Sequence, residues 1–180
     1  MRLFLERGYG ATTVELIAAE SQVSRSSVFR YWGSKSDIVW SEFDVHTERL
    51  RELLRGVAVD LATMDAVRQC VVENLRTSME GSALWLERFA VLDSAPELRA
   101  EEHAHWVAWA EVVAAFVAER HGHLPGDVVP QSIGGAVQSA FLAVLRRWLA
   151  TDDRSGHLPT ALDTALTPLC EVLQGWLDRD

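Results

Sequence analysis

Glu101, Glu102, His103 and His105 are the side chains of this 180-residue chain whose types suit metal binding or proton transfer. On a helix, His103 and His105 point roughly 200° apart, a poor arrangement for one ion. The HExxH spacing of a zinc-binding helix is also absent. A metal-dependent helical enzyme using the Glu101–His105 cluster is kept as an alternative, but no catalytic group, metal or cofactor is expected. Cys70 and Cys170 are far apart, without CxxC spacing, and suit buried apolar positions in a reducing compartment. His121 and His123 flank Gly122, where an imidazole complements a helix C-terminus.

A second group of residues points to different chemistry. The run Arg25-Ser26-Ser27-Val28-Phe29-Arg30-Tyr31 begins with small polar side chains and continues with basic and aromatic ones. Small residues let a helix backbone enter the DNA major groove, and longer polar ones reach bases or phosphates. Such a run must be carried on a capped helix. Ser24 is placed to cap it, and Val28 can turn inward with Val23 and Ile17. Before it, Thr12-Thr13-Val14-Glu15 predicts a capping box, with Thr12 as cap and Glu15 reaching back. After it, Ser34 can cap a long helix with Asp37 in its first turn. Lys35 and the free N–H groups there suit a phosphate.

Helical periodicity continues almost to the end, without alternating β patterns. Helices are predicted over roughly 2–8, 13–20, 24–31, 35–55, 64–79, 82–92, 96–121, 130–151 and 159–178. The breaks fall at Gly8 and Gly10, Gly33, Gly122, Pro125-Gly126 and Arg154-Ser155-Gly156. The expectation is an all-α chain: a three-helix helix-turn-helix head over 1–45 and a helical-bundle body over 46–180.

Apolar residues make up 48% and charged ones 24%, ordinary values for a globular protein. The net charge of −9 argues against a general nucleic-acid coat. Its distribution matters more. Residues 1–35 carry five cations against three carboxylates, a balance of +2, so the remainder carries −11. A mildly basic tip on an acidic body is compatible with DNA binding by the tip alone. The apolar run Met1–Leu5 is too short for a signal peptide, and no stretch reads as the roughly 18 uncharged apolar residues of a membrane span. The expected location is the cytoplasm, with no membrane partner.

The ordered string from Phe4-Leu5-Glu6-Arg7-Gly8-Tyr9-Gly10 through Val28-Phe29-Arg30-Tyr31-Trp32-Gly33-Ser34-Lys35 resembles the DNA-binding domain of the TetR/AcrR family of transcriptional regulators. Ala95-Pro96-Glu97-Leu98-Arg99-Ala100 and Ala118-Glu119-Arg120-His121-Gly122 resemble family members more loosely. Lys35-Ser36-Asp37-Ile38-Val39-Trp40 with Phe43-Asp44-Val45-His46 is similar to regulators linked to mycofactocin clusters in actinobacteria. The resemblance implies a repressor that binds a palindromic site on double-stranded DNA as a homodimer. It implies phosphate contacts from Thr12, Thr13, Tyr31 and Lys35. It implies groove contacts from Arg25, Ser26, Ser27 and Arg30, with Phe29 either packing inward or touching a thymine methyl. Ser24 joins this set, or serves only as a cap. Two departures bear on this. Gln22 stands where the family has a turn glycine, at a cost of about 1 kcal/mol if its φ is positive. The first helix is shorter than usual, as a truncated start would leave it. A ligand sensor that has lost DNA binding is therefore a further alternative.

In the body, Phe141, Leu145 and Trp148 lie on one apolar stripe and Leu169, Leu173 and Trp176 on another. The resemblance implies that these two helices form a four-helix bundle with a partner chain; intramolecular core is the other reading. Trp85, Phe89, Trp106, Trp109, Val113 and Phe116 are either core or the lining of a ligand cavity. A small apolar effector, a fatty acyl chain or its coenzyme A thioester, is the ligand class the mycofactocin-linked resemblance implies.

Overall fold

A computed structural model describes residues 1–81, 84–151 and 157–179. Among these residues the chain forms nine α-helices and no strand. They are α1 (Arg2–Arg7), α2 (Val14–Glu20), α3 (Arg25–Tyr31), α4 (Asp37–Arg55), α5 (Thr63–Gly81), α6 (Leu84–Ser94), α7 (Arg99–His121), α8 (Val128–Leu149) and α9 (Leu158–Leu177). A 3₁₀ turn at Pro96–Leu98 leads into α7. The break expected at Arg154-Ser155-Gly156 lies outside the described residues.

The ends of these helices follow local chemistry. Gly8 (φ 80°) ends α1, its N–H donating to the Phe4 carbonyl at 2.9 Å. Gly122 (φ 72°) ends α7. Ser34 and Asp37 cap α4 reciprocally: the Asp37 N–H donates to Ser34 Oγ, and the Ser34 N–H to Asp37 Oδ2, each at 3.1 Å.

The chain divides into two compact units. The first holds Met1–Val45 with Ser78–His105, so the expected head keeps company with α6 and the start of α7. Its core contains Phe4, Ala18, Val28, Val39, Trp40, Trp85, Phe89 and Leu98, all buried. The second unit holds His46–Thr77 with Trp106–Asp180. Leu50, Met64, Val67, Val113, Val117, Ile133, Leu162 and Leu166 are fully buried there.

The helix α8 is long and apolar enough to cross a membrane by length and composition, which corrects the expectation that no such stretch exists. Its apolarity has a place in the fold, because Ile133, Val137, Phe141 and Leu145 are buried within the second unit.

Candidate nucleic-acid interface

The side chains of α3 divide sharply. Val28 is 2% exposed and anchors the helix, whereas Phe29 is 41% and Tyr31 68% exposed. Arg25, Ser26 and Arg30 are exposed with them, and Ser27 is half-buried. Phe29 is therefore not core, which removes one of the two readings of that ring. Val23, expected inside, is 44% exposed. It follows directly on Gln22, whose φ of 56° turns the chain between α2 and α3. Gln22 thus adopts the left-handed conformation that a glycine takes without strain.

Ser24 is the cap of α3. Its Oγ accepts from the Ser27 N–H at 3.1 Å and lies 2.8 Å from Ser26 Oγ and 2.9 Å from Ser27 Oγ. Three hydroxyls thus gather on the first turn, where small polar groups let the backbone approach a groove.

The cap of α2 departs from expectation. Thr13, not Thr12, occupies the cap position, its Oγ1 accepting from the Leu16 N–H at 3.3 Å. Thr12 is 0% exposed and donates inward to the carbonyls of Leu3 (3.1 Å) and Gly8 (2.8 Å). Buried in this way, Thr12 does not present its hydroxyl to a phosphate. It ties the α1–α2 connection to α1 instead. The exposed Thr13 keeps its place in the candidate set.

Charge on this surface is organised by pairs. Arg25 Nη1 lies 3.1 Å from Glu15 Oε1, and its guanidinium sits 5.5 Å from the centre of the Phe29 ring. The Arg30 guanidinium sits 5.2 Å from the centre of the Tyr31 ring. Lys35 Nζ donates to the Tyr9 carbonyl at 2.7 Å and lies over the Tyr9 ring at 4.0 Å. This anchors the loop after α1 and leaves two ammonium donors for a phosphate. Glu15 was expected to cap α2. It stands beside Arg25, its carboxyl held below the usual range by its own backbone N–H and the Thr13 hydroxyl.

The residues that suggested a metal have other partners. Glu101 Oε2 accepts from Trp40 Nε1 at 3.1 Å. The His105 ring stacks on Trp40 with centroids 4.3 Å apart, and its Nδ1 lies 2.8 Å from Asp44 Oδ1. His103 is exposed. Among the described residues no group of three metal-ligating side chains converges. The sequence gives no sign of one ion pair, that of the buried Arg88 with the half-buried Glu42: Arg88 donates to the Val39 carbonyl at 2.7 Å and lies 2.9 Å from Glu42 Oε2. Burial pushes the Arg88 guanidinium down and Glu42 pulls it up. A lone arginine in an apolar helix carries no signal of its acceptors, which are distant in the chain.

The expected ligand residues part company. Trp85 and Phe89 line, with Val39, Trp40, Phe43, Arg88 and Leu92, an apolar cavity of about 10 Å³, room for one water. Trp106 and Trp109 pack on each other and on Phe141, with ring centroids 5.4–6.1 Å apart. Val113 is 0% exposed, and Phe116 lies half-buried beneath the Arg120 guanidinium. These four are packed side chains of the second unit. A roomier space of about 540 Å³ opens there instead, lined by Leu53, Val57, Val72 and Pro159 beside Glu73 and Arg76. Sequence reasoning missed it, because its walls come from three separate segments.

The dimer candidates divide as well. Phe141, Leu145 and Leu173 are 7%, 2% and 7% exposed, buried inside the protomer and not offered to a partner. Trp148, Leu169 and Trp176 are half-buried and stay accessible. Beside them Val172 is 70% exposed, next to the exposed Pro168.

Comparison with known proteins agrees with this architecture. Residues 1–40 match the family model described as bacterial regulatory proteins, tetR family, and residues 61–174 match the MftR C-terminal domain. The chain is 30% identical over 179 residues to MftR of Mycobacterium tuberculosis, described as a mycofactocin biosynthesis transcriptional regulator, covering 99% of this chain and 87% of that one. It is 27% identical to the HTH-type transcriptional regulator TcmR of Streptomyces glaucescens, covering 98% and 82%. Among solved structures, a transcriptional regulator from Aquifex aeolicus has the same fold, with a TM-score of 0.55 at 18% identity over 95% of this chain and 93% of that one. The TetR family regulator PfmR from Thermus thermophilus also shares it, with 0.51 at 20% over 96% and 92%.

Proposed function

Because the chain belongs to the TetR family of bacterial transcriptional regulators, with a C-terminal domain of the MftR type, we propose that it is a homodimeric repressor that grips a palindromic operator through the exposed face of α3. The observation that carries this reading is the division of α3 itself. Val28 holds the helix from behind, while Arg25, Ser26, Phe29, Arg30 and Tyr31 are exposed on a Ser24-capped helix. A dimer of such heads reads two half-sites about one helical turn or more apart. Dimerisation through α8 and α9 is supported by the accessible apolar residues Leu169, Val172 and Trp176. The partners of α8 would be its exposed or half-buried small residues Ser132, Gly135, Ala136 and Ser139.

The effector would be a small apolar molecule, a fatty acyl chain or its coenzyme A thioester. The 540 Å³ space between α4, α5 and α9 supports a ligand with an apolar part against Leu53, Val57, Val72 and Pro159 and a polar end beside Gln69, Glu73, Arg76 and Asp163. Control requires only that the ligand bind the DNA-competent and incompetent arrangements unequally. The protein would act in the cytoplasm, beside its operator.

A gel shift with the DNA upstream of its own gene, and with neighbouring divergent promoters, tests the reading. Salt-sensitive, palindrome-dependent binding is expected. Arg30→Ala should lose sequence preference, whereas Lys35→Ala should weaken all sequences alike and flatten the salt slope. Binding that ignores both the palindrome and the salt concentration would sink it.

A further inference from the structure

Resting on the reading that α3 enters the major groove, we propose that Arg25 and Phe29 act as one stacked unit that reads a guanine one or two base steps from a thymine, with Glu15 as the residue that aims it. Phe29 places a large apolar ring on an otherwise polar helix face, 41% exposed, while Val28 beside it is buried. The apolar feature that base edges offer in the major groove is the thymine C5-methyl group. The Arg25 guanidinium, 5.5 Å from the ring centre, is within cation–π range. Arginine's commonest specific contact is bidentate, to O6 and N7 of guanine. Arg25 and Phe29 are four residues apart, about 6 Å along a helix. Base pairs stack about 3.4 Å apart, so two groups about 6 Å apart address pairs one to two steps apart and not one pair.

Glu15 completes the unit. Its Oε1 lies 3.1 Å from Arg25 Nη1. The guanidinium therefore contacts both the ring and a carboxylate. That carboxylate is charged, since its own N–H and the Thr13 hydroxyl favour the ionised form. A negative charge beside the DNA face weakens binding to any phosphate backbone. Its return is orientation: an arginine fixed in direction discriminates among bases better than a free one. Arg30 has an aromatic neighbour, Tyr31, but it is the adjacent residue, and the arrangement lacks the four-residue offset that separates Arg25 from Phe29.

The test uses the full chain and a randomised duplex library. The enriched duplex is remade with each thymine replaced singly by deoxyuridine, which removes the C5-methyl, and each guanine by 7-deazaguanine, which removes N7. The wild type should lose about 5-fold or more in affinity at one uridine position and at a 7-deazaguanine position one or two base steps from it. Phe29→Ala should be weaker on the parent duplex and indifferent to that uridine. Glu15→Gln should bind random DNA at least as tightly as wild type, yet lose discrimination at the guanine, an outcome a merely structural role would not produce. Indifference of the wild type to every uridine, or a sensitive thymine more than two base steps from the sensitive guanine, overturns the proposal while the regulator reading stands. Full discrimination by Glu15→Gln overturns the role of Glu15. If no duplex is enriched, the regulator reading falls and this inference falls with it.

Discussion

Gln22 shows how a single residue can depart from a pattern and keep the local shape. Its φ of 56° costs an L-residue about 1–2 kcal/mol, part of which a glycine would return as unfolded-chain entropy. Gln22→Gly should therefore stabilise the protein by about 0.5 kcal/mol, read as a higher urea midpoint; a lower midpoint would show that the glutamine side chain contributes beyond the turn. The two cysteines make a second test at this scale. Both are buried, and burial pushes each thiol up from 9.0 to about 11. The folded protein thus holds these protons to higher pH than the unfolded chain does. Stability should be unaffected by them below pH 9 and should fall as pH rises from 9 towards about 11. Urea midpoints across that range should decline for the wild type and decline less for a Cys70→Ala/Cys170→Ala double variant. Thr12 and Thr13 show what a residue type leaves undecided. Either can cap a helix by chemistry alone, and the carbonyls of Leu3 and Gly8 drew Thr12 inward.

Helices α8 and α9 carry the same lesson one scale up. Each has an apolar stripe wide enough for either an intramolecular or an intermolecular neighbour. Phe141, Leu145 and Leu173 fell on the inner side, Leu169 and Trp176 on the accessible one. The approach of α7 to α8 depends on one missing side chain. A Cβ on Gly134 would lie 2.5 Å from the Ala110 carbonyl oxygen, a contact with backbone that no rotamer relieves. Gly134→Ala should force the two helices apart and cost about 1–3 kcal/mol, seen as a lower thermal midpoint. Gly126→Ala, in the loop before α8 and with nothing within 4 Å of the added atom, is the control and should leave that midpoint nearly unchanged or slightly higher.

For the whole molecule, charge and symmetry set the terms of DNA binding. With −9 on the chain and +2 on residues 1–35, affinity for random DNA is left to a few cations near α3. Two heads acting together then contribute most of the affinity for an operator. Val172, 70% exposed on α9, is a site where a charge should disturb the partner and little else. Val172→Glu should sediment as a monomer with unchanged helical content. Its affinity for the palindrome should drop by about 100-fold or more as bivalency is lost, while binding to a single half-site stays as it was. A variant that remains dimeric would move the interface away from this face of α9.

The helical class and the order of the elements were legible from the chain alone, because each rests on short-range chemistry. Apolar periodicity marks a helix, serine caps it, and glycine ends it. The same local signals mark Arg25 to Tyr31 as a candidate DNA-reading run, and its Ser24 cap and exposed face are present in the structure. Tertiary packing settled which of two adjacent threonines turns inward, which half of each apolar stripe is core, and where a cavity opens. Those outcomes depend on neighbours brought together from distant segments, such as Glu42 beside Arg88 and Ala110 beneath Gly134. Periodicity states that a face is apolar, but it carries no information about which surface arrives to cover it.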